Sequence, residues 1–218
     1  MKQSAGRLLV SGLAALAGGI LFAIVTLFHP PLTNPWAGGH GLNEVARSGT
    51  WMWDHSLMVV AMTLWLVGLA GGEAWFRKEG AAPRNAARLF IAALAMWLLI
   101  LTVELGVIPP IVRAMEKGAG TGLRVVGEVM FTFALLGGYF AMALVWLGVA
   151  LLGWSMTQEA GFTWFPTWGF ISGAAGMAGI ALSLWKPAFA LIVLVLTSIP
   201  PYLWTLFLAW KMLRGAWI

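Results

Sequence analysis

The sequence predicts an all-α, polytopic integral membrane protein: one transmembrane domain over residues 1–218, built as a bundle of six helices. Two observations predict this fold class. Hydrophobic residues make up 61% of the 218 residues and charged residues only 10%, whereas soluble domains contain about 25% charged residues. The apolar residues also form long runs, and a helix needs about 20 of them to cross a hydrocarbon core about 30 Å thick. A soluble globular fold is therefore excluded.

Six apolar runs supply the predicted helices. They cover residues 8–28, 51–76, 89–108, 125–154, 168–185 and 187–213. The first run continues to Phe28 and is longer than the apolar core of a signal peptide, so it predicts an uncleaved helix. Prolines stop helices after the first and third runs; they are Pro30, Pro31, Pro35, Pro109 and Pro110. Only residues 185–187 separate the last two runs, so one broken helix is the alternative to two spans there.

The positive residues predict that both chain termini lie in the cytoplasm. With that orientation, eight of them fall on the inner side: Lys2, Arg7, Arg77, Lys78, Arg84, Arg88, Lys211 and Arg214. Five fall on the outer side: Arg47, Arg113, Lys117, Arg124 and Lys186. Cytoplasmic loops carry the excess of Lys and Arg in membrane proteins. We therefore expect a multi-pass protein of the cell membrane, the plasma membrane of a bacterium or an archaeon.

Composition also excludes several classes of function. The chain contains no cysteine, so disulfides, iron–sulfur clusters, Cys-attached haem and cysteine nucleophiles are ruled out. The formal net charge of +5 is explained by cytoplasmic loops, and we expect a lipid bilayer and no nucleic acid as partner. The sequence has no Walker A lysine motif and no GxSxG motif, so it does not indicate nucleotide or serine-hydrolase chemistry.

Small residues at four-residue spacing predict the helix faces that pack together, because membrane helices associate where their backbones approach closely. They are Ser11, Ala15, Gly19, Gly68, Gly72, Gly169, Gly173, Gly176 and Gly179. Most of the 14 tryptophans lie at span ends and predict an aromatic belt; these are Trp51, Trp53, Trp75, Trp154, Trp164, Trp168, Trp185, Trp204, Trp210 and Trp217. Trp65, Trp97 and Trp146 lie deeper, as core residues or beside a ring-shaped cofactor.

Six ionisable residues are predicted to collect on one side of the membrane. Three of the interhelical loops must emerge on that side, and the residues beside them are His29, His40, Asp54, His55, Glu104 and Glu128. At 1.5 Å per residue, His55, Glu104 and Glu128 lie at a similar depth, roughly 5 to 6 Å below the interface. Ionisable groups within spans are expensive and usually functional. We therefore predict a polar pocket that opens to the outer face.

Two kinds of cofactor suit this pocket. Imidazole and carboxylate are ligands of divalent transition metals, and the metal-ligand candidates are His29, His40, His55, Asp54, Glu104 and Glu128. A b-type haem needs axial imidazoles, for which His29 and His55 are the candidates because they lie on successive helices at one level. A quinone or a pigment would use the same histidines together with tryptophans. The favoured hypothesis is a cofactor-binding subunit of a membrane redox assembly.

Three alternatives stay open at the level of sequence. The first is a small-solute or proton-coupled transporter, in which Glu104 and Glu128 carry protons and the Pro200–Pro201 break shapes a path. The second is a structural accessory subunit that packs against other membrane subunits or against copies of itself. The third is a purely structural role for the polar layer, with Glu104 paired to Arg113 or Arg124 and the other acids favoured by helix dipoles.

Overall fold

Eight α-helices form the computed structural model, which describes residues 2–76, 80–118 and 120–215. They are α1 (Lys2–Phe28), α2 (Gly38–Arg47), α3 (Trp51–Ala70), α4 (Ala81–Gly106), α5 (Ile108–Glu116), α6 (Thr121–Ala160), α7 (Trp164–Trp185) and α8 (Ala190–Arg214). Short 3₁₀ helices at Gly71–Trp75 and Pro187–Phe189 extend α3 and precede α8. Three residues used in the predictions lie outside the described residues: Arg77, Lys78 and Trp217.

The predicted six-span bundle is confirmed. Within the described residues, the chain segments around α1, α3, α4, α6, α7 and α8 are long and apolar enough to cross a membrane. The last two predicted spans are separate helices, because the backbone leaves the helical conformation at Lys186 and α7 and α8 then pack against each other. The protein is therefore a multi-pass membrane protein.

The third span differs from its prediction at its end. Pro109 and Pro110 were expected to stop this helix, and α4 does end just before them, at Gly106. The chain then continues as the short helix α5, with both prolines in its first turn. A proline has no N–H to offer the preceding turn, yet its fixed φ suits the first turn of a new helix. The two prolines therefore break one helix and begin the next.

The six spanning helices form a ring in chain order. α1 packs on α3, α3 on α4, α4 on α6, α6 on α7, α7 on α8, and α8 closes the ring against α1. Small residues lie at these contacts, as predicted: a methyl group added to Gly68 would collide with the backbone of Ala15, and one added to Gly173 would meet the backbone of Ala150. The backbones of neighbouring helices therefore approach each other closely at these points.

Aromatic side chains fill the ring in the half nearest the chain termini. Trp65, Trp146 and Trp204 are fully buried, and Phe22 stacks on Trp65 with ring centroids 5.4 Å apart. The belt prediction is wrong for Trp51, Trp75 and Trp204, which pack inside the protein. Trp164 and Trp185, in contrast, lie at helix ends and are 69% and 73% exposed, as residues of an aromatic belt would be.

We call the face opposite the chain termini the distal face. There α1, α4 and α7 end, and α3, α6 and α8 begin. The short helices α2 and α5 also lie there and pack on the start of α6. α2 has one apolar side, on which Leu42 and Val45 are buried. The distal face therefore carries a small cap of non-spanning helices.

Candidate functional site

A line of three buried ionisable side chains lies near the distal face. Asp54 and His55 begin α3 and are fully buried, while Glu104 in the last turn of α4 is 9% exposed. Nδ1 of His55 lies 2.6 Å from Oδ1 of Asp54, and Nε2 of His55 lies 3.5 Å from Oε2 of Glu104. We call these residues the acid–histidine chain. Among the described residues, they are the acidic and basic side chains that are buried.

The hydrogen bonds decide which nitrogen of His55 carries a proton. Nδ1 faces two acceptors, the Asp54 carboxylate and the carbonyl oxygen of Trp51 at 2.8 Å, so Nδ1 donates. Nε2 then faces Oε2 of Glu104 at 3.5 Å, which is longer than a hydrogen bond, and this nitrogen has no hydrogen-bond partner among the described residues. A small approach of the two side chains would allow a hydrogen bond between them, in which one proton could lie on either group.

Trp51 contacts two residues of the acid–histidine chain, Glu104 and His55. Its indole Nε1 donates to the backbone carbonyl of Glu104 at 2.9 Å. Its ring stacks on the His55 imidazole, with centroids 3.9 Å apart and an interplanar angle of 28°. The sequence analysis placed Trp51 in the aromatic belt and missed this role. The available signal was its spacing, because residues four apart lie on the same face of a helix.

His29 lies beside the chain, at the end of α1. Its ring centroid is 5.0 Å from that of His55, and its Nδ1 donates to the carbonyl of Pro30 at 2.7 Å. Burial, together with the neighbouring His55, lowers the pKa of His29 from its ordinary value. A neutral ring whose Nδ1 is the donor offers Nε2 as an acceptor. The predicted proximity of His29, His55 and Glu104 is therefore observed.

The two histidines do not fit a haem held between them. A metal–imidazole bond is about 2 Å long and the ring centre lies about 1 Å behind its nitrogen, so two trans ligands need centroids about 6 Å apart. The observed separation is 5.0 Å, with the rings inclined by 46° and touching. A porphyrin plane has no room between rings in contact. The geometry therefore disfavours the predicted bis-histidine haem.

His40 and Glu128 lie apart from the acid–histidine chain. Glu128 accepts a hydrogen bond from Nε of Arg124 at 3.0 Å, so Arg124 does not pair with Glu104 as the structural alternative proposed. His40 lies on α2 and, with Glu128, lines a separate surface pocket of about 370 Å³. Within the described residues, no group of three or more His, Asp and Glu side chains is arranged to hold a metal ion. The six predicted ligands thus divide into two places.

A cavity of about 340 Å³ lies inside the ring next to the acid–histidine chain. Its acidic and basic lining residues are His29 and Glu104, and most of the remaining wall is apolar. Phe22, stacked on Trp65, lines it towards the aromatic half of the bundle. Trp97 also lines it, and the buried Nε1 of Trp97 has no hydrogen-bond partner among the described residues. The cavity is therefore apolar with a polar end.

Residues 29–33 cover the cavity at the distal face. The hydroxyl of Tyr139 on α6 donates a hydrogen bond to the carbonyl of Thr33 at 2.6 Å. Thr132, two turns earlier on α6, donates to the carbonyl of Pro35 at 2.8 Å. Two prolines, Pro30 and Pro31, stiffen the covering segment. The covering segment is therefore tied to α6 at Thr33, and the chain just after it is tied to α6 at Pro35.

A comparison of the sequence with protein-family models, with curated proteins and with solved structures finds no match. The fold and the site therefore define the class of this protein by themselves: a multi-pass membrane protein of six spanning helices, with a buried acid–histidine chain at the polar end of an apolar internal cavity.

Proposed function

We propose that the protein binds a membrane-soluble molecule of the quinol class in the cavity, and that the acid–histidine chain accepts a proton from its polar head. The observation that carries this proposal is the position of Glu104, which lines the cavity with one side and faces His55 with the other. Ligand cavities measure about 300 to 1,000 Å³ and are mostly apolar with a few polar groups. A cavity of about 340 Å³ suits one substituted ring and the start of an apolar tail.

The proton path follows from the order of the side chains. A hydroxyl of the bound head would donate to the Glu104 carboxylate or to Nε2 of His29, since both residues line the cavity. Oε2 of Glu104 lies 3.5 Å from Nε2 of His55, so a small approach of the two side chains would let the proton pass to the imidazole. Asp54 holds the opposite nitrogen and stabilises the imidazolium that forms, the part that a buried aspartate also plays beside catalytic histidines. Each residue of the chain thus has a role in holding one proton.

On this proposal the protein is a subunit of a membrane redox assembly. Oxidation of a quinol releases protons and electrons together, so a proton acceptor alone does not complete the reaction. The electrons would pass to an electron carrier in another membrane subunit.

The second candidate function is binding of a divalent metal ion by His55 and Glu104. Nε2 of His55 has no hydrogen bond within the described part of the chain. One imidazole and one carboxylate form half of a common set of metal ligands.

The interior of the ring supports binding over transport. The buried ionisable side chains of the described residues lie near the distal face, while Trp65, Trp146 and Trp204 fill the half nearest the termini. Secondary transporters place polar groups and broken helices near the midplane, on a path that opens to both sides. The cavity has its polar groups at one end, which suits a site where a ligand enters, reacts and leaves.

The test is binding of decylubiquinol, the reduced form that carries the hydroxyl groups, by the protein in lipid nanodiscs under anaerobic conditions. Binding is measured by quenching of tryptophan fluorescence. The variant Glu104→Gln removes the acceptor, and Glu128→Gln is the matched control on the same face, outside the cavity. We expect saturable quenching in the wild type and in E128Q. Loss of a hydrogen bond to a charged group costs about 1.5 to 3 kcal/mol, so E104Q should bind about tenfold to a hundredfold more weakly.

Two results would decide against the quinol site. Equal affinities of E104Q and E128Q would remove Glu104 from it, and absence of quenching in the wild type would remove the ligand class. Metal analysis of the same samples separates the second candidate. A near-stoichiometric metal that is present in E128Q and lost in E104Q would make the site a metal centre. Far-UV circular dichroism of each variant controls for folding.

A further inference from the structure

The wall of the cavity between α1 and α8 is closed in one half of the membrane only. In the half nearest the termini the two helices touch: a methyl group on Gly12 would lie 2.9 Å from the carbonyl oxygen of Ala209. Further along, Tyr202 on α8 donates its hydroxyl to the carbonyl of Gly19 at 2.6 Å. These contacts hold the helices together from the termini to about the middle of the bundle.

The prolines of α8 lie where these contacts end. Pro200 and Pro201 directly precede Tyr202 and lie inside the helix. Each lacks the N–H that would bond the preceding turn, so the helix can bend at this point without losing a further hydrogen bond. The distal half of α8 is therefore free to follow a different direction from the half that is packed on α1.

In the distal half, residues of α1 and α8 lie on the cavity wall and on the outer surface at once. Thr26 of α1 and Leu191 of α8 line the cavity, and Leu191 is 47% exposed on the outside of the bundle. Both belong to the spans Gly6–Phe28 and Pro187–Arg214. The Thr26 hydroxyl bonds back to the carbonyl of Phe22 at 2.8 Å, so the rim presents no free donor. This rim therefore belongs to segments that are long and apolar enough to cross a membrane.

We propose that the cavity is entered sideways from the bilayer, through a lateral portal between the distal halves of α1 and α8. The proposal rests on the proposed function and specifies its ligand: an amphiphile that arrives dissolved in the membrane, with its ring directed to Glu104 and its tail left in the portal. The covering segment, residues 29–33, lines the cavity at the distal face and is tied to α6 through Thr33, and the chain just after it is tied to α6 through Pro35.

Cysteine labelling tests the portal without the quinone, because the chain contains no native cysteine. Ala134 lines the cavity and is 2% exposed, so Ala134→Cys places one thiol inside with a small change in volume. The protein in liposomes is treated with N-cyclohexylmaleimide, which dissolves in the bilayer, or with a cationic methanethiosulfonate added to the aqueous phase. We expect the neutral reagent to label this thiol and the charged reagent to react about a hundredfold more slowly.

A bulky side chain on the rim should obstruct the portal. Leu191→Trp in the Ala134→Cys background is expected to slow labelling by the neutral reagent about tenfold, as gating of a cavity does. Ile192→Trp is the matched control, because Ile192 is 62% exposed to the same surroundings but does not line the cavity. Equal labelling rates in the two tryptophan variants, or equal rates with both reagents, would overturn the portal.

The two proposals fail in different ways. If L191W slows labelling but the wild type does not bind decylubiquinol, the portal stands and the quinol class is wrong. If decylubiquinol binds and depends on Glu104 while L191W and I192W label alike, the proposed function stands and the ligand enters by another route. If both experiments succeed, the association rate of decylubiquinol should also fall in L191W relative to I192W.

Discussion

Removal of His55 is expected to destabilise the protein far more than joint removal of His55 and Asp54. Both side chains are fully buried, and Oδ1 of Asp54 accepts from His55 while Oδ2 has no partner among the described residues. In His55→Leu the Asp54 carboxylate is therefore left buried and uncompensated. Breaking a buried ion pair from one side costs about 3 to 5 kcal/mol.

The other two variants complete a double-mutant cycle. In Asp54→Leu, Nδ1 of His55 keeps its bond to the Trp51 carbonyl at 2.8 Å, so the expected loss is smaller, about 1 to 3 kcal/mol. In the double variant no unpaired charge remains, and replacement of a buried pair by apolar residues is often nearly neutral. We therefore expect the double variant to be more stable than His55→Leu alone. The coupling energy should be close to the sum of the two single losses, about 4 to 8 kcal/mol.

The assay is reversible unfolding by sodium dodecyl sulfate in mixed micelles, followed by far-UV circular dichroism. Ser56→Leu is the control on the same helix, because Ser56 is exposed and its hydroxyl bonds only to its own helix, at the carbonyl of Met52; its effect should stay within about 0.5 kcal/mol. Additive losses in the double variant would refute the reasoning, since they would show that Asp54 carries no charge that His55 compensates.

Two further outcomes test the surroundings of the chain. Trp51→Phe should lower the free energy of unfolding by about 1 to 3 kcal/mol, because the buried carbonyl of Glu104 loses its hydrogen-bond donor. Trp53→Phe is the control: Trp53 is 44% exposed, so this change should alter the free energy of unfolding little. Equal effects of the two changes would contradict the role assigned to Trp51. The pKa of His29 is lowered in the folded protein, so as the pH falls the imidazole is protonated in the unfolded chain before it is protonated in the folded protein. The contribution of His29 to the free energy of unfolding is therefore complete above the ordinary pKa of about 6.5 and is lost as the pH falls towards the folded-state pKa. His29→Gln should flatten this part of a plot of unfolding midpoint against pH, and an unchanged slope would show that another group titrates.

Much of the fold could be predicted because the bilayer imposes it. A span needs about 20 apolar residues whatever its partners are, so the six runs identify the six helices directly. The continuation of the third span as α5 was missed for a local reason: Pro109 and Pro110 end one helix and suit the first turn of another, and the sequence pattern alone does not separate these two uses.

The candidate site was predicted in part. Depth and sidedness follow from helix length, so His29, His55 and Glu104 could be expected near one another. The same reasoning wrongly added His40 and Glu128, because residues at equal depth can lie on different sides of a bundle. The role of Trp51 was missed since a tryptophan at a span end has the same sequence pattern whether it faces lipid or the interior.

The sequence by itself determined that this is a membrane protein, that it crosses the membrane with six helices, and that its three histidines, Asp54, Glu104 and Glu128 lie towards one face. Hydrophobic length and loop alternation, which determine these features, are properties of the chain. Only the tertiary structure decided that the helices close into a ring in chain order, that His55 lies between Asp54 and Glu104, and that a cavity opens beside them. These features depend on how each helix is rotated about its axis. That rotation is set by side-chain packing between neighbours, such as Gly68 against Ala15, which no single helix specifies.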